Sequence, residues 1–212
     1  ANLMAIADLF QISVDELLSN EKSEKKQSDY IYESRTEYDI DGKKNFDIKL
    51  GGAYAVDLKA YHGEKIEVAM FSNVYKNLLA DYKVKIDDIK NRIDIDLNRF
   101  NEASEADAKE SLVITIFIPV KYIGKIELSV NAGTLNITDI ENEHIEVNGK
   151  ISEVTLQGNK SEIEIDSNLD MQISVLSHEG ALEINQLSAT SRLTIPADYR
   201  FRSTKKGIAT HI

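Results

Sequence analysis

Two strings of carboxylates are the residues of this chain whose types and spacing come closest to chemistry. Asp94 and Asp96 lie in Arg92-Ile93-Asp94-Ile95-Asp96-Leu97, and Glu162, Glu164 and Asp166 lie in Glu162-Ile163-Glu164-Ile165-Asp166. Two carboxylates facing each other across a sugar-binding groove cleave glycosidic bonds, one as acid and the other as base or nucleophile. Each of these acids, however, alternates with Ile or Leu. In a strand that alternation puts the acids on the outer, solvated face, where charge keeps strands soluble. Sugar subsites also call for aromatic platforms, and the chain has no Trp.

The histidines add no metal chemistry. His62, His144, His178 and His211 show no ligand spacing such as His-x-x-x-His, and each reads as a surface or corner residue. Outward acids of successive strands could stack into a ladder for divalent ions, but the glycine-rich calcium repeat is missing. Gly51-Gly52 reads as a bulge or turn between two strands rather than a nucleotide loop. No catalytic, cofactor-binding or metal-binding residue is therefore assigned, and the expectation is a non-enzymatic protein. Arg192, Arg200, Arg202, Lys205 and Lys206 close an otherwise acidic chain. They either dock on the acidic surface of a neighbouring copy, which makes them the candidate self-association residues, or form a solvated cap.

Composition bounds the elements that must carry these residues. At 212 residues, 42% hydrophobic and 29% charged, the chain has enough apolar material for one sizeable core. The absence of Cys excludes disulfides and thiolate metal sites. The longest apolar run, Leu112 to Val120, is far short of the roughly 20 residues that span a bilayer, so no membrane insertion is expected. Net charge is −11, and between residues 126 and 190 twelve carboxylates face only Lys150 and Lys160. That surface repels a phosphate backbone, so any DNA contact belongs elsewhere.

From residue 30 onward, short stretches alternate apolar and polar residues with period two, as in Phe46 to Leu50, Ile66 to Val68 and Leu112 to Ile118, and read as strands with one buried face. Asn73 to Tyr82 reads as a helical turn or crossing loop, and Asn101 to Glu110 as an acidic, exposed connector. A longer period begins at Ile126, with segments starting at residues 126, 145, 163 and 181. Each holds two short strands about a polar corner, and such units bury their apolar faces only by stacking, the signature of a β-solenoid. A β-sandwich with evenly spaced hairpins is the competing arrangement. The only two prolines stand in Ile118-Pro119-Val120-Lys121-Tyr122 and Ile195-Pro196-Ala197-Asp198-Tyr199, each placed to end a strand and redirect the chain.

The start of the chain has another character. In Asn2 to Leu18, Leu3, Ile6, Ala7 and Phe10 recur at helical spacing, and Ser13-Val14-Asp15-Glu16 supplies a capping box for a second helix. Two such helices cannot bury a core alone, so residues 1–18 are expected to end a domain that begins upstream. Residues 19–29, free of Leu, Ile, Val and aromatic residues, read as a charged linker.

Asn2 to Leu18, NLMAIADLFQISVDELL, resembles the end of the Cro and phage-repressor (XRE-like) helix-turn-helix family. The recognition helix of that family would lie upstream, so DNA would be a partner only through residues absent from this chain. The stretch from Phe46 to the C-terminus resembles the toastrack, or putative-adhesin, family. The residues carrying this are Lys65 to Met70 (KIEVAM), Ile118 to Ile137 and Ile195 to Gly207. That family's frequent serine-glycine corners are mostly replaced here, by Asn148-Gly149, Gly158-Asn159 and Glu179-Gly180. The resemblance implies a single-stranded right-handed β-helix over residues 30–212. Together the two imply a cytoplasmic transcriptional regulator whose β-domain senses a signal or forms a homo-oligomer, holding two DNA-binding heads together. The alternative is an envelope- or surface-associated module that binds a protein partner.

Overall fold

The structure is a computed structural model that describes residues 30–204 except Glu102. The helices expected over 2–18 and the linker over 19–29 lie outside the described residues, as do Lys205, Lys206 and His211. The chain divides into two units, 1–31 and 32–212, and every element below belongs to the second.

Alternation of the kind seen at Phe46-Asp47-Ile48-Lys49-Leu50 forms strands wherever one face can be buried, and here it produces a mainly β architecture. Among the described residues thirteen strands join in one open sheet. In chain order they are β1 (Tyr32–Asp39), β2 (Lys44–Tyr61), β3 (Lys65–Ser72), β4 (Tyr82–Ile89), β5 (Arg92–Arg99), β6 (Val113–Pro119), β7 (Ile123–Thr138), β8 (Glu141–Gln157), β9 (Asn159–Asp166), β10 (Met171–Val175), β11 (His178–Glu179), β12 (Leu182–Asn185) and β13 (Ser191–Thr194). Among the described residues two short α-helices, α1 (Leu78–Asp81) and α2 (Glu105–Ser111), and a 3-10 turn at Val120–Tyr122 interrupt them.

The sheet has two arms sharing the long strands β2, β7 and β8. In one arm β4, β5, the first half of β2, the first halves of β7 and β8, then β9 and β12 lie side by side. In the other, β1, β3, β6, the second halves of β2, β7 and β8, then β10 and β13 do so. From β2 onward the pairing is parallel, with Ile126 opposite Ile145, Ile145 opposite Ile163 and Ile163 opposite Leu182. The chain thus returns beside itself every 18 to 20 residues. Hairpins of a sandwich would have paired antiparallel. The fourth repeat starts at Leu182, one residue later than the sequence pattern suggests.

In-register stacking lines identical chemistry into rows. Ile93, Phe46, Ile126, Ile145 and Ile163 form one apolar row, and Ile114, Val56, Leu135, Val154 and Ile173 another, all buried in a single core enclosed by both arms. Within β7 and β8 the two expected short strands are one continuous bent strand. The bend is possible because Gly149 sits at φ +147, where a Cβ would lie 1.7 Å from the Val130 carbonyl oxygen. Gly51, at φ +67, accompanies a register shift in β2, so Gly51-Gly52 is a bulge inside a strand. Pro119 ends β6, and Pro196 comes two residues after the end of β13, in keeping with their missing N–H.

The stretch at 101–110 is mostly exposed, as expected, but it forms a helix rather than a plain connector. Ser104 accepts a hydrogen bond from the Asp107 N–H at 3.1 Å, capping α2, while Ala108 and then Leu112, four residues on, are buried. The helix seats on Gly52, where a side chain would meet the Glu105 backbone. The expected turn at 73–82 contains α1.

Candidate functional site

The outward-facing rows carry the surface chemistry. Asp87, Asp94, Asp47, Glu127, Glu146, Glu164 and Glu183 occupy matching positions on seven neighbouring strands, each opposite the next. Asp94 and Glu164, both singled out from sequence, therefore belong to one row; Asp47, which stands between Asp94 and Glu127, was not foreseen. Asp96 and Asp166 fall in the adjoining row, separated by Lys49, Ser129 and Asn148. Glu162 is exposed opposite His144.

Compensation along the acidic row is uneven. Lys85 donates to Asp87, Arg92 to Asp94 at 2.9 Å and Lys49 to Asp47 at 2.8 Å. These hydrogen bonds, foremost among the causes, hold the three basic groups above their ordinary pKa values. Further along the row, neutral amides take over. Asn148 donates to Glu146 at 2.7 Å and Asn185 to Glu164 at 2.8 Å, while His144 Nε2 lies 4.0 Å from Glu164. Among the described residues no Lys or Arg pairs with Glu127, Glu146, Glu164 or Glu183, and no group of three or more His, Asp or Glu is arranged to hold a metal ion.

Corners are braced by side-chain amides reaching to the neighbouring turn. Asn159, only 2% exposed, accepts from the Ile140 N–H at 3.0 Å and donates to the Ile137 carbonyl at 2.7 Å. Asn131 accepts from the Lys150 N–H at 3.0 Å, and Asn45 from the Lys125 N–H at 2.9 Å. His178 is a corner residue as expected but a buried one, with Nε2 3.4 Å from the Ala181 carbonyl oxygen. His62 is exposed and lines an open cleft of mixed charge with Lys43, Tyr61, Lys121, Asp139 and Glu141. Burial first, then the charge of Glu67, pushes the Tyr61 phenol up to about 12.

The basic residues fall at the last described coil. Arg192 is exposed on β13, and Arg200 and Arg202 are exposed beyond it. None of the three forms an ion pair with another described residue. Beside them the apolar face is open: Leu193 is 45% exposed and Leu187 75%. Charge clustering made the arginines legible in sequence, but their position beside this uncovered edge was not.

This is a mainly β protein with a stacked parallel core, long outward rows and no assembled catalytic constellation among the groups singled out above. The fold is similar to that of a solved structure described as a "putative cell adhesion protein" from Clostridium sporogenes, with 8% identity and a TM-score of 0.52 over 78% of this chain and 99% of that one. Two further structures, each described as a "putative adhesin", come from Parabacteroides merdae (12% identity, TM-score 0.28, 77% of this chain and 95% of that one) and Bacteroides fragilis (11%, 0.29, 78% and 98%). The first shows a shared fold; the other two scores are too low to add to it. No family model and no curated protein matches the chain.

Proposed function

We propose that this chain is a non-enzymatic interaction module of adhesin type, working at the cell envelope, and that its β-domain is a right-handed β-solenoid. The observation that carries the reading is the fold shared with the Clostridium sporogenes cell adhesion structure along nearly its whole length. Right-handed winding is what parallel crossover connections overwhelmingly adopt. Stacked coils also suit the task physically, because they repeat one outward chemistry at strand spacing and so present an extended surface to a macromolecule rather than a pocket to a small one. The row from Asp87 to Glu183 is such a surface. The regulator reading rests on residues 2–18, which lie outside the described residues, and draws no support from the comparisons.

Protease shaving of intact producing cells, followed by immunodetection of the chain, tests this. The expected result is digestion on intact cells. A chain that stays protected until lysis and then co-sediments with nucleoid DNA would favour the regulator instead.

A further inference from the structure

A coil in a parallel stack buries its inward residues only when another layer lies on each side. Along one inward row, Leu135, Val154 and Ile173 are at most 1% exposed, yet the next member, Leu193, is 45% exposed. Along the other arm Ile163 and Ile165 are buried, whereas their partners Leu182 and Ile184 are only half-buried. The backbone repeats the message. Among the described residues β12 pairs only with β9, and β13 only with β10, so within them each has one strand edge without a sheet partner. Exposed edges of this kind are templates for another chain unless charge or proline blocks them.

Charge decides which chain fits. Glu183 stands between Leu182 and Ile184 on β12, and Arg192 stands beside Leu193 on β13. The edge thus carries one acidic and one basic strand, each without an ionic partner among the described residues. The opposite end of the stack also finishes in edge strands, β4 and β1, each paired on one side only among the described residues, but Tyr82 on β4 and Ser34 on β1 are buried there, whereas Leu193 on β13 is 45% exposed.

We infer that this edge binds a second copy of the same chain, end to end about a two-fold axis. β12 of each copy lies against β13 of the other, and Glu183 of each faces Arg192 of its mate. The like-with-like alternative would set Glu183 against Glu183 and Arg192 against Arg192, which opposed strands disfavour. Contact of this kind is self-complementary and closes at two copies, giving a dimer rather than a fibre. Leu182, Ile184, Leu187 and Leu193 become its apolar centre, and Arg200 and Arg202 fall on its rim. The dimer builds on the interaction-module reading, and its consequence is a doubled set of outward rows.

Sedimentation velocity of the full 212-residue chain from about 1 to 100 µM, a range spanning ordinary specific affinities, reads the dimer directly. The wild type is expected to dimerise with a concentration-dependent sedimentation coefficient. Leu193→Asp, at an exposed edge that the core does not need, should weaken dimerisation at least roughly tenfold while leaving the far-ultraviolet circular dichroism unchanged. Arg192→Glu alone should weaken it, and Arg192→Glu combined with Glu183→Arg should restore it, because the pair is then merely exchanged. A wild type that stays monomeric throughout overturns the inference, as does a double exchange that fails to restore what the single variant loses. It is also overturned if removing residues 205–212 turns a monomer into a dimer, since the chain's own end would then be the occupant. Protease shaving reads location and is blind to self-association, so failure of the dimer and failure of the envelope assignment are separately visible.

Discussion

Removing a negative charge from the middle of the acidic row should stabilise the protein, even though the residue removed makes a hydrogen bond. Glu146 faces Glu127 on one side and Glu164 on the other. Neighbouring strands lie about 4.8 Å apart, so each unit-charge repulsion amounts to about 0.9 kcal/mol in a water-like dielectric. Screening at physiological ionic strength, with a Debye length of about 8 Å, reduces this to about 0.5 kcal/mol per neighbour. Glu146→Gln relieves both repulsions, roughly 1 kcal/mol, and keeps an oxygen to accept from Asn148. Exchanging a charged acceptor for a neutral one returns about half of that. The net expectation is a gain of about 0.5 kcal/mol at physiological salt, rising to about 1 kcal/mol at 10 mM salt and vanishing near 1 M. Glu153→Gln supplies the control, because Glu153 faces Thr134 and Gln172 and changes net charge equally without relieving a neighbour. Urea unfolding of wild type and both variants at the three salt concentrations measures the difference. A Glu146→Gln gain that is absent, independent of salt, or matched by Glu153→Gln would show that these carboxylates splay into solvent and do not feel one another.

Three further substitutions probe the corners, the core and the alkaline limit. Gly149→Ala should cost at least about 3 kcal/mol, because the methyl would collide with the Val130 carbonyl oxygen at a left-handed φ, whereas Gly42→Ala has open space and should be near neutral in the same urea titration. Asn159→Ala strands the Ile140 N–H and the Ile137 carbonyl inside the fold, for a loss on the order of 3 kcal/mol; a thermal midpoint within a degree of wild type would contradict the bracing role. Burial, followed by the neighbouring Tyr75 phenol, holds the Tyr82 phenol well above its ordinary 10.0. Below pH 10 both folded and unfolded chains keep that proton, but above it the unfolded chain releases a proton that the folded chain retains, so stability falls as pH rises. Tyr82→Phe should flatten the decline of the urea midpoint between about pH 9.5 and 11.5, and an unchanged slope would mean that another group controls it.

What could be read in advance followed from how local the information is. The coils beginning at Ile126, Ile145 and Ile163 are consecutive, so their shared pattern is visible by aligning the chain with itself. Their first member is not. Phe46 and Ile48 in β2 take the same rows, but 80 residues and four other strands separate Phe46 from Ile126, and long-range pairing leaves no local trace. Helix α2 was missed because its buried face consists of Ala108 and little else while its acids look solvated. Asn159 and His178 read as polar corners, yet the corner lies under the next turn and is buried. The charge of Arg192, Arg200 and Arg202 was evident from composition, but that Arg192 stands beside the exposed Leu193 in the row of Ile173 depends on long-range register.

The return of the chain beside itself every 18 to 20 residues makes height a modular property of this protein. Because Ile163 occupies the row of Ile145, excising residues 145–162 would deliver Ile163 onto Ile126 with its apolar side still inward. The strands before and after the excised turn would be brought closer by about 4.8 Å, one strand spacing. A cut that slips a strand by one residue would instead turn apolar residues outward. Insertions and losses in such a molecule are therefore tolerated in whole turns, and its reach can be lengthened or shortened without redesigning either end.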